Sequence, residues 1–234
     1  MIPLRDSQRP SSYPVVTLAL IGCNSLVWLY EVGLGPRLDG FILQYGLTPL
    51  RFILAYRFEG GIVDNAIIPL FSSIFMHGGW LHVIGNMWFL WIFGDNVEDR
   101  MGHFRFLLFY LLCGIGASLA FVLVDPFSRM PMVGASGAIS GVLGSYLVTF
   151  PGARILTIPI IFIPYWLIEV PAWIFLIIWF LFQFLGASQA SAHGEVGGVA
   201  YGAHIGGFVT GILLTWIMRK RPRFRKRSWE EDPF

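Results

Sequence analysis

Six stretches of this chain run for 19 residues or more without Asp, Glu, Lys or Arg, and nothing else constrains its fold so strongly. They hold 21 residues between Arg9 and Glu31, 30 between Asp64 and Asp95, 19 between Arg105 and Asp125, 24 between Arg129 and Arg154, 25 between Glu169 and Glu195, and 23 between Glu195 and Arg219. A helix crossing hydrocarbon needs about 20 mostly apolar residues. The runs are continuously apolar rather than alternating, which argues against membrane strands. Charged residues make up 13% of the chain and mean hydropathy is +0.67, whereas soluble domains carry about 25% charged residues. The expected fold is an all-α polytopic membrane protein with six helices. Residues 13–218 form the membrane domain, between an N-terminal segment, 1–12, and a basic tail, 219–234. The stretch from Ile155 to Ile168 is short and carries Pro159 and Pro164, so it reads as an interfacial or partly re-entrant loop. Cys23 and Cys113 lie within apolar runs and read as packing residues.

Six spans place both termini on one side. That side collects 12 of the 16 basic residues, including the seven from Arg219 to Arg227; Arg37, Arg51, Arg57 and Arg129 fall on the other. Basic residues accumulate on the cytoplasmic face, so both termini are expected there. The tail follows directly on a span and reads as an anchor on anionic lipid rather than a nucleic-acid patch. The first run is long enough to span and no cleavage pattern follows it, so it reads as a helix and not a signal peptide. With no transit-like stretch before helix one, a cell membrane is expected rather than an organelle. The long loop from Arg37 to Asn65 would lie in the outer interface. The Gly-, Ala- and Ser-rich segment from Gly186 to Gly198 is expected to be a mobile loop. No internal repeat is evident, which weakens a transporter reading.

In a membrane the informative residues are the polar ones that hydrocarbon excludes. His82, Asn86, Ser136 and His204 all fall in the first parts of helices two, four and six, which run the same way. They therefore share one depth near the outer face. Ser136 follows Gly134, which permits a tight turn, and begins a helix whose positive end stabilises developing negative charge. A serine among glycines is also ordinary packing material. Gly137, Gly141 and Ser145 recur every four residues on helix four, as do Ala203, Gly207 and Gly211 on helix six. Gly198, Gly202 and Gly206 form an adjoining stripe. Two such faces let backbones approach closely, which would bring Ser136 and His204 within hydrogen-bond reach.

His82 and Asn86 share one helix face. Both donate hydrogen bonds, as an oxyanion requires; a clasp between helices is the plainer alternative. A metal site from His77, His82 and His204 lacks a completing cysteine or carboxylate. With no Asp or Glu near this layer inside the spans, a Ser–His pair remains where a triad would need a third member.

These residues resemble a known family, the rhomboid intramembrane serine proteases. Its helix-four signature stands here as Gly134, Ser136, Gly137 and Gly141. The helix-six pattern is Gly202-Ala203-His204-Ile205-Gly206-Gly207 followed by Gly211, and that of helix two is His77, His82 and Asn86. Gly94, Val97-Glu98 and Gly102 match the turn after helix two. The resemblance implies a six-helix rhomboid-like bundle with a water-filled cavity opening outward. It implies Ser136 as nucleophile and His204 as general base. His82, Asn86, Gly134, Ala135 and the Ser136 N–H would be the oxyanion and substrate-binding groups, and the 186–198 segment a cap. It implies no metal or organic cofactor, and the substrates would be single-span membrane proteins; with the tail read as a lipid anchor, no nucleic-acid partner is expected. Some members carry an aromatic residue four positions after the nucleophile, stacked on the base. Here that position is Ser140, and the outer loop lacks the family's Trp-Arg pair, which leaves open how the histidine is oriented. A catalytically dead client-binding relative and a channel are the alternative classes; the first typically loses the serine or histidine, and the second would show mid-membrane charges.

Overall fold

A computed structural model of the chain describes residues 1–57, 61–159, 167–193 and 201–219, with side chains between 186 and 193 left aside. Each of the six apolar runs supplies most of one long helix: α1 (Val15–Gly33), α5 (Trp80–Met101), α6 (His103–Val124), α7 (Ser136–Thr149), α8 (Ala172–His193) and α9 (Tyr201–Met218). Between α1 and α5 lie α2 (Leu38–Tyr45), α3 (Pro49–Arg57) and α4 (Ile68–Ser72). By length and composition α1, α6 and α9 suffice to cross a membrane. The last turns of α5 carry Asp95, Glu98, Asp99 and Arg100, and the apolar part of α8 is the shorter Ala172–Leu185.

The core is organised around α9, which packs against both α7 and α6. The small-residue stripes explain how. A Cβ added at Gly207 would overlap the Gly137 carbonyl, and one at Gly211 the Gly141 carbonyl. Gly206 faces Ala120 of α6 instead, and Gly116 of α6 faces Thr210. Each stripe thus serves a different neighbour, and backbone meets backbone where side chains would hold the helices apart.

The N-terminus of α1 is capped by another helix. The Glu98 carboxylate of α5 accepts the Val16 N–H at 2.9 Å, the Thr17 N–H at 2.7 Å and the Thr17 hydroxyl at 2.6 Å. Asp99 accepts Ser11 Oγ at 2.9 Å and the Ser12 N–H at 3.0 Å. An anion there satisfies free helix N–H groups and complements the helix dipole. Glu98→Ala is expected to cost on the order of 3 kcal/mol, because buried donors lose a charged acceptor. A thermal melt in detergent beside wild type would measure it; an unchanged midpoint would show the cap to be dispensable.

Two expectations need correction. The fold is mostly helical but not all-α, since β1 (Ile2–Asp6), β2 (Arg154–Ile158) and β3 (Ile168–Pro171) form an antiparallel sheet in the order β1-β2-β3. Both ends of the stretch read as an interfacial loop are therefore strands, while residues 160–166 lie outside the described residues. The sheet is tied to the bundle through Asp6, which accepts hydrogen bonds from the Tyr146 hydroxyl of α7 and, at 3.0 Å, from Asn96 Nδ2 of α5. Burial raises the Asp6 carboxyl above the usual aspartate range, with the Tyr146 bond opposing the shift. The second correction concerns the segment read as a loop from Gly186: α8 continues through it to His193. Residues 194–198 of that expected cap, and the basic tail beyond Arg219, lie outside the described residues.

Candidate active site

The local sequence explains why Ser136 opens its helix. Although 24 uncharged residues lie between Arg129 and Arg154, only 14 of them, from Ser136, are in α7. The preceding residues are held extended: Leu47 and Met132 exchange backbone hydrogen bonds at 3.0 and 2.9 Å, and the Gly134 N–H donates to Ser73 at 2.8 Å. Gly134 then adopts φ 133°, in the region that disfavours a side chain. A Cβ there would also sit 2.8 Å from His82 Cε1 and Nε2. Ala135 is the N-cap of α7 and is buried in the apolar core. Ser136 is the first helical residue, so its N–H belongs to the orphan donors of a helix N-terminus.

The close α7–α9 packing sets Ser136 opposite His204, three residues before Gly207. The hydroxyl oxygen lies 2.7 Å from His204 Nε2. The other ring nitrogen, Nδ1, lies 2.7 Å from Gln183 Oε1 on α8. The ring also stands beside Trp179, with centroids 6.2 Å apart and planes tilted by 36°. Ser140, at the position where an aromatic residue was considered, donates instead to the Ser136 carbonyl at 2.6 Å.

His82 and Asn86 project from the first turns of α5 into the same cavity, which encloses about 1040 Å³ and is also lined by Gly134, Ser136, Gln183 and His204. The Gly78 N–H approaches His82 Nδ1 at 3.4 Å, which makes Nδ1 the acceptor and leaves Nε2 carrying the proton. Asn86 is buried, and its Nδ2 has no partner among the described residues. Both side chains line the cavity that Ser136 also lines. His77 does not join them. It precedes α5 and is fully buried, its N–H donates to Glu31 Oε2 at 3.1 Å, and its ring packs edge-on against His82 at 5.2 Å.

Glu31 was read only as the boundary of the first apolar run. The structure buries it within α1 and uses it to fasten that helix to the segment leading into α5. Gln183 was missed altogether. The signal was present as Trp179 and Gln183, four residues apart and so on one helix face, within a run treated as uniformly apolar.

A model of the rhomboid domain matches residues 64–221. The chain belongs to the rhomboid family. Rhomboid-like protein 11, chloroplastic, of Arabidopsis thaliana is 30% identical over 211 residues, covering 85% of this chain and 67% of that protein. Rhomboid protein 1, mitochondrial, of Saccharomyces cerevisiae is 30% identical over 212 residues, covering 86% of this chain and 53% of that protein. Rhomboid protease GluP of Bacillus subtilis is 36% identical over 115 residues, covering 46% of this chain and 21% of that protein. The chain thus spans about two thirds and about half of the lengths of the first two relatives. The rhomboid-matched region contains His82, Asn86, Ser136, Gln183 and His204 together.

Proposed function

We propose that this rhomboid protein is an intramembrane serine endopeptidase that hydrolyses peptide bonds in or near transmembrane segments. The observation that supports this most is the 2.7 Å approach of Ser136 Oγ to His204 Nε2 in a cavity that His82 and Asn86 also line. Ser136 is the nucleophile. Neutral His204 takes its proton as the oxygen attacks the carbonyl and returns it to the leaving amine. The oxyanion is held by His82 Nε2–H, Asn86 Nδ2–H and the Ser136 N–H at the start of α7. Water then attacks the acyl-enzyme, with His204 again accepting the proton. The reaction as proposed uses no metal or cofactor.

In this reading all six long helices cross the bilayer, both termini are cytoplasmic and the cavity opens to the other side. Residues 13–218 are the membrane domain and the 219–234 tail its cytoplasmic anchor. The location is a cell membrane, although two relatives carry the names of organelles. Single-span proteins are the substrates, cut where Gly or Pro weakens the helix enough to expose an amide. A cavity near the outer face provides the water.

A fluorophosphonate probe, which reacts with an activated serine, tests the reading without a known substrate. The folded protein in detergent is expected to be labelled at Ser136, and Ser136→Ala to take up no label. A folded wild type that remains unlabelled would contradict the protease reading and favour a client-binding role.

A further inference from the structure

Three observations around His204 are not used by the two-residue scheme. Its Nδ1 lies 2.7 Å from Gln183 Oε1, the Trp179 ring stands beside it, and both residues come from α8 rather than from α7, which carries the serine. The position one turn after Ser136 is Ser140, whose hydroxyl is engaged with the Ser136 carbonyl and offers the imidazole no stacking surface.

The proton inventory of the ring determines what Gln183 does. For Nε2 to accept the Ser136 proton its lone pair must face the hydroxyl, so the neutral ring carries its hydrogen on Nδ1. A hydrogen on Nδ1 inside a packed bundle needs an acceptor, and a carboxamide oxygen supplies one without adding a charge. When the imidazolium forms, the same oxygen still accepts from Nδ1, and its bond strengthens because the donor is then charged. The Asp of a serine-protease triad fixes the tautomer and orientation of its histidine in this way. Among the described residues no carboxylate stands at His204; the carboxamide does.

We infer that Gln183 is a positioning residue for His204, the third member of a Ser136–His204–Gln183 relay in which α8 fixes the tautomer and orientation of the base. This rests on the protease reading above and adds a residue to it. Gln183 does not enter the bond-making steps; it acts through the ring it holds.

The test compares wild type, Gln183→Leu and Gln183→Glu in detergent, reading kcat and KM on a model single-span substrate, the fluorophosphonate labelling rate of Ser136, and the pH dependence of both. Leu keeps the bulk and suits an apolar helix but accepts nothing. It is expected to lower kcat and the labelling rate by at least about 10- to 100-fold, the loss typical when the outer hydrogen-bond partner of a metal-bound histidine is removed, with KM unchanged. Glu keeps an oxygen at the same place and is expected to restore most of that rate. Its charge favours the imidazolium, so the acid limb of the profile should move up by about 1 pH unit; with Leu it should move down. The His82 ring on α5, which lines the same cavity as His204, is unchanged in both variants and cannot produce opposite shifts. Wild-type rates in Gln183→Leu together with unshifted acid limbs would overturn the inference. Should Gln183→Leu melt below the assay temperature, the Gln183→Glu limb alone decides, and an unmoved limb rejects the relay. Those failures leave wild-type labelling intact, whereas an unlabelled wild type removes the protease reading and this inference with it.

Discussion

Gly207→Ala is expected to inactivate the protein while leaving every proposed catalytic group in place. The added methyl would overlap the Gly137 carbonyl, a backbone atom that no rotamer change can move aside. Helices α7 and α9 must then separate along the contact that sets Ser136 against His204. Overpacking of this kind costs about 1–3 kcal/mol even where side chains can yield. The functional loss should be larger than the stability loss, because a displacement of about 1 Å at a reacting pair costs roughly 100-fold in rate. A melt and a fluorophosphonate time course on the same preparation separate the two effects. Gly152→Ala is the control, since a Cβ there meets nothing within 4 Å. Normal labelling by a folded Gly207→Ala protein would show that the close approach does not govern the site.

His204→Ala has the largest expected chemical effect. Without the imidazole the Ser136 hydroxyl loses its one side-chain partner among the described residues and stays a poor nucleophile at neutral pH. In serine proteases, removing the base alone costs about as much as removing the whole catalytic set, roughly 10⁶-fold in kcat. The protein should remain folded, because His204 makes its side-chain bonds to Ser136 and Gln183 and not to the α7–α9 backbone contact. Loss of cleavage and of probe labelling with an unchanged melt is the predicted pattern. Retained labelling would mean that another group activates Ser136.

Much of this arrangement was legible in the sequence because membrane physics makes it so. Hydrocarbon excludes charge, so uncharged runs located the six long helices, and the rarity of polar residues in those runs singled out His82, Asn86, Ser136 and His204. The every-fourth small residues forecast close helix packing, and Gly207 and Gly211 lie against Gly137 and Gly141. The failures have equally physical causes. The sheet joins residues near position 5 to others beyond 150, and nothing in a local apolar pattern reports so distant a pairing. The span count treated Glu31 as a boundary, but a carboxylate that accepts the His77 N–H can be buried inside a helix. Gln183 escaped because it carries no charge, so a charge-based count passes over it. The 186–193 segment read as a loop from its glycine and small polar residues, yet a helix already begun tolerates Ala, Ser and Gln, and α8 runs through them to His193.

The orientation of the base shows why a motif alone was insufficient. The helix-four signature identifies the serine and helix six the histidine, but neither contains what holds the ring. The groups that stand at the ring come from α8, Gln183 Oε1 at 2.7 Å from Nδ1 and the Trp179 ring beside it, on a helix that the motifs do not touch.

The most direct measurement is cleavage of a model single-span substrate by the purified full chain in liposomes, wild type beside Ser136→Ala, with products sized by mass spectrometry. The account predicts a discrete cut in or near the substrate's transmembrane segment with wild type, and none with a Ser136→Ala protein that melts as wild type does. Equal cleavage by the two proteins would contradict it, because the activity would then not pass through Ser136.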